Sequence, residues 1–305
     1  MTYHRKYLSS SVLAISAFGL LLLINPSQGM AVPILDPALA TFAVLGETSV
    51  TNDHPTSTST IFGNVGVSAG SSITGFTAPV PTVPTVDATG QVTGGLLHAT
   101  TSLAAQAQLD LDAAILTLND TTLHPSTGIL LGELAGTYAP GVYDGGAGLL
   151  SGALVLDGGG SDSAVWIFRL TSSLTTAATG SSVSVTDVGD GSNVGVYWVV
   201  GDFATLNGPS FAGNVFAQKT ISSDGALTLG CGRLLSATAD VTLIGDTISI
   251  GCGGVGDTGF GSGGFDQGGS GGNGVGNGSV PEPTTLLLLG SGLAGLAAWR
   301  RKKSA

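Results

Sequence analysis

A chain of 305 residues with 50 glycines, 10% charged residues and a formal net charge of −11 has room for one sizeable domain and few cations to spend on a polyanion. Six of its nine Lys and Arg residues are Arg5, Lys6, Arg300, Arg301, Lys302 and Lys303, at the two ends, which leaves Arg169, Lys219 and Arg233 against nineteen of the twenty acids, a balance near −16. That balance excludes nucleic acid and an anionic membrane surface as partners, and solubility is its plain explanation.

The N-terminus carries His4, Arg5 and Lys6, then an apolar run from about Val12 to Ile24, then small residues at Ser27-Gln28-Gly29 and Gly29-Met30-Ala31. This order predicts a secretory signal peptide over residues 1–31, with signal peptidase as its processing partner. The run falls short of the roughly 20 residues of a comfortable membrane span. An uncleaved anchor is the other reading of it.

The body runs from residue 32 to 253. Within it, His98 to about Asn119 places Ala99, Leu103, Ala107, Leu111, Ala114, Ile115 and Leu118 at spacings of three and four, which predicts one long helix. The rest is β-like: Val, Thr, Ile and aromatic residues between Gly, Asn and Asp turns. From Val196 the chain divides into blocks of nineteen, the next beginning at Val215 and Leu234, each apolar at its start. Nineteen residues suit one three-sided coil of short strands and turns, stacked about 4.8 Å from its neighbour. Alternation along such strands turns Ala204, Leu206, Ile221, Val241 and Leu243 inward, and Thr205, Ser222 and Thr242 outward. A β-sandwich is the rival architecture.

Cys231 and Cys252 lie about one coil apart, and an exported context permits a disulfide between them; free buried thiols are the alternative. No catalytic, metal or cofactor site is predicted. His54, His98 and His124 sit in separate segments, and Asp110 and Asp112 point different ways on the helix. Asp187, Asp190 and Asp202 have the Gly and Asn neighbours of turns. There is no Gly-x-Ser-x-Gly elbow and no phosphate-binding Gly-x-x-x-x-Gly-Lys.

Residues 254–279 are mostly Gly with Ser, Asn and Asp and read as a flexible linker, without a sustained calcium-binding period. Residues 280–305 follow: Pro281-Glu282-Pro283, an apolar run from Leu286 to Trp299, then Arg300-Arg301-Lys302-Lys303. This tripartite tail resembles the PEP-CTERM sorting signal of Gram-negative bacteria; a simple one-pass anchor is the other reading of it. The resemblance implies transient inner-membrane insertion of the short apolar segment with its basic end in the cytoplasm. It further implies an exosortase-type processing enzyme as partner, and a product on the cell surface or outside the cell.

The body has a second resemblance. Phe42-Ala43-Val44-Leu45 and Gly63-Asn64-Val65-Gly66-Val67-Ser68 resemble the opening of the microbial ice-binding family. Ile73-Thr74-Gly75-Phe76, Tyr138-Ala139-Pro140-Gly141-Val142-Tyr143 and Leu154-Val155-Leu156-Asp157-Gly158-Gly159-Gly160 continue the match in order. So do Ala164-Val165-Trp166-Ile167-Phe168, Leu174-Thr175-Thr176 and Phe211-Ala212-Gly213-Asn214-Val215, covering nearly all of residues 40 to 250. The resemblance implies a mainly β fold: a right-handed discontinuous β-helix, or solenoid, of triangular cross-section with one long α-helix packed alongside.

It also implies adsorption to ice through one flat face, which in the family tends to show Thr-(Ala/Gly)-x-(Thr/Asn). Threonine suits such a face because its stiff side chain holds a hydroxyl and a methyl in place. Here Thr176-Ala177-Ala178-Thr179 fits the pattern, and Ser71-Ser72-Ile73-Thr74 and Asn207-Gly208-Pro209-Ser210 fit it loosely. The expected face residues are therefore Thr176, Ala177, Thr179, Ser71, Thr74, Asn207 and Ser210. Ser223-Asp224-Gly225-Ala226-Leu227 departs from the pattern with an acid and a Leu near the face, and Gly245-Asp246-Thr247 also departs. The alternative is a non-catalytic matrix, biofilm or adhesion protein on the same fold, with an extracellular polymer as its partner.

Overall fold

The computed structural model describes residues 34–251 apart from 54–57, 190, 192, 224 and 226. All of these belong to one compact unit, Pro33–Ala305. The signal peptide, His54, Asp190, Asp224, Cys252, the glycine-rich linker and the sorting tail lie outside the described residues.

Short strands separated by turns pair in parallel from coil to coil and form three faces. The first face is a seven-stranded sheet in the order Gly148–Leu150, Leu174–Thr176, Ala204–Leu206, Ile221–Ser223, Val241–Leu243, Ser49–Asn52 and Ser72–Thr74. The other two faces share a fifteen-stranded sheet. Ser210–Ala217 and Thr228–Ser236 run through the corner between them. The backbone turns that corner at Gly213 (φ 102°) and Cys231 (φ 51°), and the pairing register shifts between Ala212 and Asn214. Glycine is required at 213 twice over, since a Cβ there would also lie 2.6 Å from Val196 Cγ1.

Alternation along the strands sorts the apolar side chains. Trp166, Phe168, Val196, Trp198, Val200, Val215 and Leu234 fill the interior of the column. Phe168 stacks on Trp198 with ring centres 4.1 Å apart, and Tyr143 stacks on Phe168 at 5.5 Å. Ile167, Tyr197, Val199, Phe216 and Leu235, on the same strands, point the other way into a second apolar layer. Both sides of this face are buried, which is why its strands read as nearly continuous apolar runs.

The second layer is closed by helices α1 (Pro37–Ala40) and α2 (Ser102–Asn119). Helix α2 buries Ala104, Ala107, Leu111, Ala114, Ile115 and Leu118 against the column. Gln108 Nε2 ties it there by donating to the carbonyls of Ser236 (2.9 Å) and Ala237 (3.1 Å). The helix begins at Ser102, not at His98 as the apolar spacing predicts. Leu97–Ala99 form a strand, Thr100 takes φ 53°, and the Thr101 side chain caps the helix by accepting from Ala104 N (3.2 Å). Arg233, fully buried, donates to Asn214 Oδ1 (2.8 Å) and to the Ala40 carbonyl (2.7 Å), and so fastens the segment around α1.

Sequence order and stacking order differ. Val44 pairs with Leu234, and Val50 with Val241, so the N-terminal coils stack on the C-terminal one. The chain then leaves Leu97–Ala99 at one end of the column and re-enters at Gly128–Ile129 at the other. The 18 residues of α2 make most of that return, covering about 27 Å. The nineteen-residue period holds between Val215 and Leu234. One coil earlier, Trp198, not Val196, is the partner of Val215, so that coil is two residues shorter.

Beyond Ser72–Thr74 the column is closed by a loop, residues 76–91, gathered on one carboxylate. Asp87 accepts from the backbone nitrogens of Thr77 (2.9 Å), Thr89 (3.2 Å), Gln91 (2.9 Å) and Val92 (3.2 Å).

Candidate binding face

Each strand of the seven-stranded sheet is three or four residues long, and in the five from Gly148–Leu150 to Val241–Leu243 the first and last residues turn inward. Ala204, Leu206, Ile221, Val241 and Leu243 are all 0% exposed, as alternation predicts. The middle residue of each of those five strands faces out, as do Thr51 of Ser49–Asn52 and Thr74 at the end of Ser72–Thr74, and parallel register places these side chains one above another. The row reads Leu149, Thr175, Thr205, Ser222, Thr242, Thr51, Thr74. Six of its seven members carry a hydroxyl, spaced by the roughly 4.8 Å between strands. Two coil-to-coil contacts join hydroxyls along it: Thr74 Oγ1 to Thr51 Oγ1 (3.3 Å) and Ser222 Oγ to Thr205 Oγ1 (3.5 Å).

Among the described residues charge stands at the border of the row and at one end of it, where the exposed Glu133 is bridged to Leu149. Lys219 Nζ pairs with Asp202 at 2.7 Å in the turns that precede the strands. Asp240 accepts from Thr220 Oγ1 at 2.8 Å and from Thr242 Oγ1 at 3.4 Å. A second row of small residues runs along the adjoining face, through Ala153, Ser182, Ser210, Thr228, Thr247 and Thr60.

The seven residues expected from the pattern are divided between these rows, the corner that joins them and, for Ser71, the approach to the first row. Thr74 stands in the first row and Ser210 in the second. Ser71 is exposed just before its strand; Ala177 and Asn207 directly follow theirs, and Thr179 lies in a turn. Thr176 is only 1% exposed, and its Oγ1 accepts from Asn207 N and Gly208 N, both at 2.8 Å. It turns a corner instead of presenting its hydroxyl outward. The pattern missed Thr51 and Thr175, whose place in the row depends on pairing across coils; the outward turn of Thr205, Ser222 and Thr242 follows from strand alternation alone.

Of the residues expected to depart from the pattern, two stay off the face. Leu227 (1% exposed) and Asp246 (0%) are both inside. Burial pushes the Asp246 carboxyl above its usual range, against hydrogen bonds from Ser223 Oγ, Ile244 N and Leu227 N. Asp224 lies outside the described residues.

The titratable groups elsewhere hold structure together. His98 is 3% exposed, with Nδ1 3.1 Å from Thr101 Oγ1, and burial lowers its pKa. Burial, and then the nearby Arg169, lower that of His124. Arg169 itself binds Asp144 through Nε (2.5 Å) and Nη2 (3.0 Å). Among the described residues no three His, Cys, Asp or Glu side chains form a group that could hold a metal ion. Cys231 is fully buried, and no free cysteine occurs among the described residues.

A column that presents ordered rows of small hydroxyl side chains, with the charge of its described residues at the borders and ends of those rows, is a surface-adsorbing β-solenoid. Residues 44–249 match the ice-binding-like family, and the chain belongs to that family. A relative from Nostoc sp. (strain HG1) named as an ice-binding protein is 33% identical over 306 residues, 98% of this chain and 97% of its own length. A solved ice-binding protein from an Antarctic biological consortium is 30% identical at a TM-score of 0.60, covering 72% of this chain and 91% of that one. Another, from the Antarctic ascomycete Antarctomyces psychrotrophicus, is 32% identical at 0.59, covering 71% and 98%. Residues 279–302 match the PEP-CTERM protein-sorting motif.

Proposed function

We propose that this protein adsorbs to ice through the seven-stranded face, with Thr51, Thr74, Thr175, Thr205, Ser222 and Thr242 as its contact row. The observation that carries this reading is the register of that row: six successive coils offer a hydroxyl from a fixed backbone. The side chains stand on short strands whose neighbours are packed into the core, so binding costs little ordering entropy. The protein acts outside the cell without catalysis, in freeze protection or in restraining recrystallisation. Export by the signal peptide and processing of the sorting tail by an exosortase-type enzyme deliver it there, with a passing stay in the inner membrane.

The test is thermal hysteresis and recrystallisation inhibition on purified residues 32–253. Thr205→Tyr raises a ring in the middle of the row and is expected to remove most of the activity. An outward substitution of this kind changes stability by only about 0.5 kcal/mol, so circular dichroism is expected to be unchanged. Ser210→Tyr, on the second row, is expected to leave activity intact. The opposite result moves the contact to the second row, and an inactive wild type rejects ice binding in favour of an adhesive or matrix role.

A further inference from the structure

Asn207 is followed by Gly208, and the pair turns the corner between Ala204–Leu206 and the strand that begins at Ser210. The site is tight: a Cβ at 208 would lie 2.1 Å from Ser181 Oγ, which would have to move, and 3.3 Å from the Ala177 carbonyl oxygen. An Asn-Gly pair is chemically labile wherever the glycine nitrogen can reach the asparagine side chain. Here both backbone nitrogens donate to Thr176 Oγ1 at 2.8 Å. That hydroxyl has two acceptor lone pairs, and the turn takes both.

We infer that Asn207-Gly208 is a latent deamidation site beside the threonine row, and that Thr176 holds it closed. In the reaction, hydroxide removes the proton of Gly208 N, and the nitrogen attacks Asn207 Cγ. The new N–Cγ bond forms, the Cγ–Nδ2 bond breaks, and the departing nitrogen takes a proton from water and leaves as ammonia, which regenerates the hydroxide and leaves a succinimide ring. Water then opens the ring at either carbonyl and yields aspartate or isoaspartate at position 207. The Thr176 hydroxyl opposes the first step in two ways. It stabilises the N–H that must lose its proton, and it keeps the nitrogen aimed at Oγ1 and away from Cγ. A carboxylate at 207 would stand two residues from Thr205, at the edge of the proposed contact row. That consequence rests on the proposed function; the closure of the site does not.

The full chain, held at mildly alkaline pH, is followed by peptide mass spectrometry at Asn207. Thr176→Val is expected to deamidate there up to about tenfold faster than wild type, the equivalent of one lost hydrogen bond. Thr176→Ser, which keeps the hydroxyl, is expected to match wild type. A valine variant that folds and deamidates no faster overturns the inference. A second measurement needs no variant: the Gly208 amide of the wild type is expected to exchange its hydrogen far more slowly than in a synthetic peptide of residues 203–212. Equal exchange in protein and peptide overturns the inference even where the valine variant does not fold. Neither readout involves ice, so the chemistry at 207 and the adsorption reading fail separately.

Discussion

Asp87 is where the closing loop meets acid. Desolvation works to raise its pKa, but hydrogen bonds from Thr77 and Thr89 outweigh it and hold the carboxyl at about 2, below the ordinary 3.8. A lowered folded-state pKa contributes stability that is present above the unfolded value and is lost as pH falls through the folded one. The loop 76–91 is therefore expected to be intact at pH 5 and above, and to loosen between about pH 4 and pH 2. Amide exchange at Thr77 and Gln91 checks this: protection should disappear in that window, and in Asp87→Asn it should be weak at every pH. The inward and outward residues of the seven-stranded face were legible in the sequence because period-two alternation is local. Thr176 was not, because the groups that engage its hydroxyl belong to the next coil, thirty-one and thirty-two residues on. Leu227 and Asp246 misled for the same reason; only the closed coil decides that they point inward.

Helix α2 is held by its cap and its inner stripe. Thr101→Ala removes the cap on Ala104 N and is expected to cost about 1 kcal/mol, read as a lower denaturation midpoint with an unchanged slope. The stripe from Leu103 to Leu118 was visible in the sequence as spacings of three and four. The start was not, since Leu97 and Ala99 extend the same apolar pattern although they belong to a strand. What separates them is Thr100, a β-branched residue at φ 53°, which a chain in isolation gives no reason to expect. Leu109 (64% exposed) and Leu116 (74%) lie on the helix's outer side, so composition alone does not reveal which side docks.

For the molecule as a whole, the column and its accompanying helix were legible from the repeat and the family motifs. The seam between the first coil and the last was not visible in the repeat, because Val44 and its partner Leu234 are 190 residues apart. Near that seam stands Cys231, which we propose pairs with Cys252. The bond would close a loop of about twenty residues and stabilise by about 3 kcal/mol in the chain-entropy model. Alkylation followed by mass spectrometry of the exported protein should find no reactive thiol before reduction and two after it. Two reactive thiols in the untreated protein would reject the pair.

The out-of-order stacking also sets a timetable. A ribosome or an export channel delivers the chain from its N-terminus, so Phe42–Gly46 arrives among the first strands. One neighbour, Asn64–Val67, follows promptly; the other, Thr228–Ser236, is delivered nearly last. The opening coils must wait with one edge unpaired while the rest of the column is made. Such long-range closure slows folding, and an unpaired edge invites the wrong partner in the meantime. A chain cut short before Thr228 would lack every strand that closes the seam, whatever the quality of the coils already built.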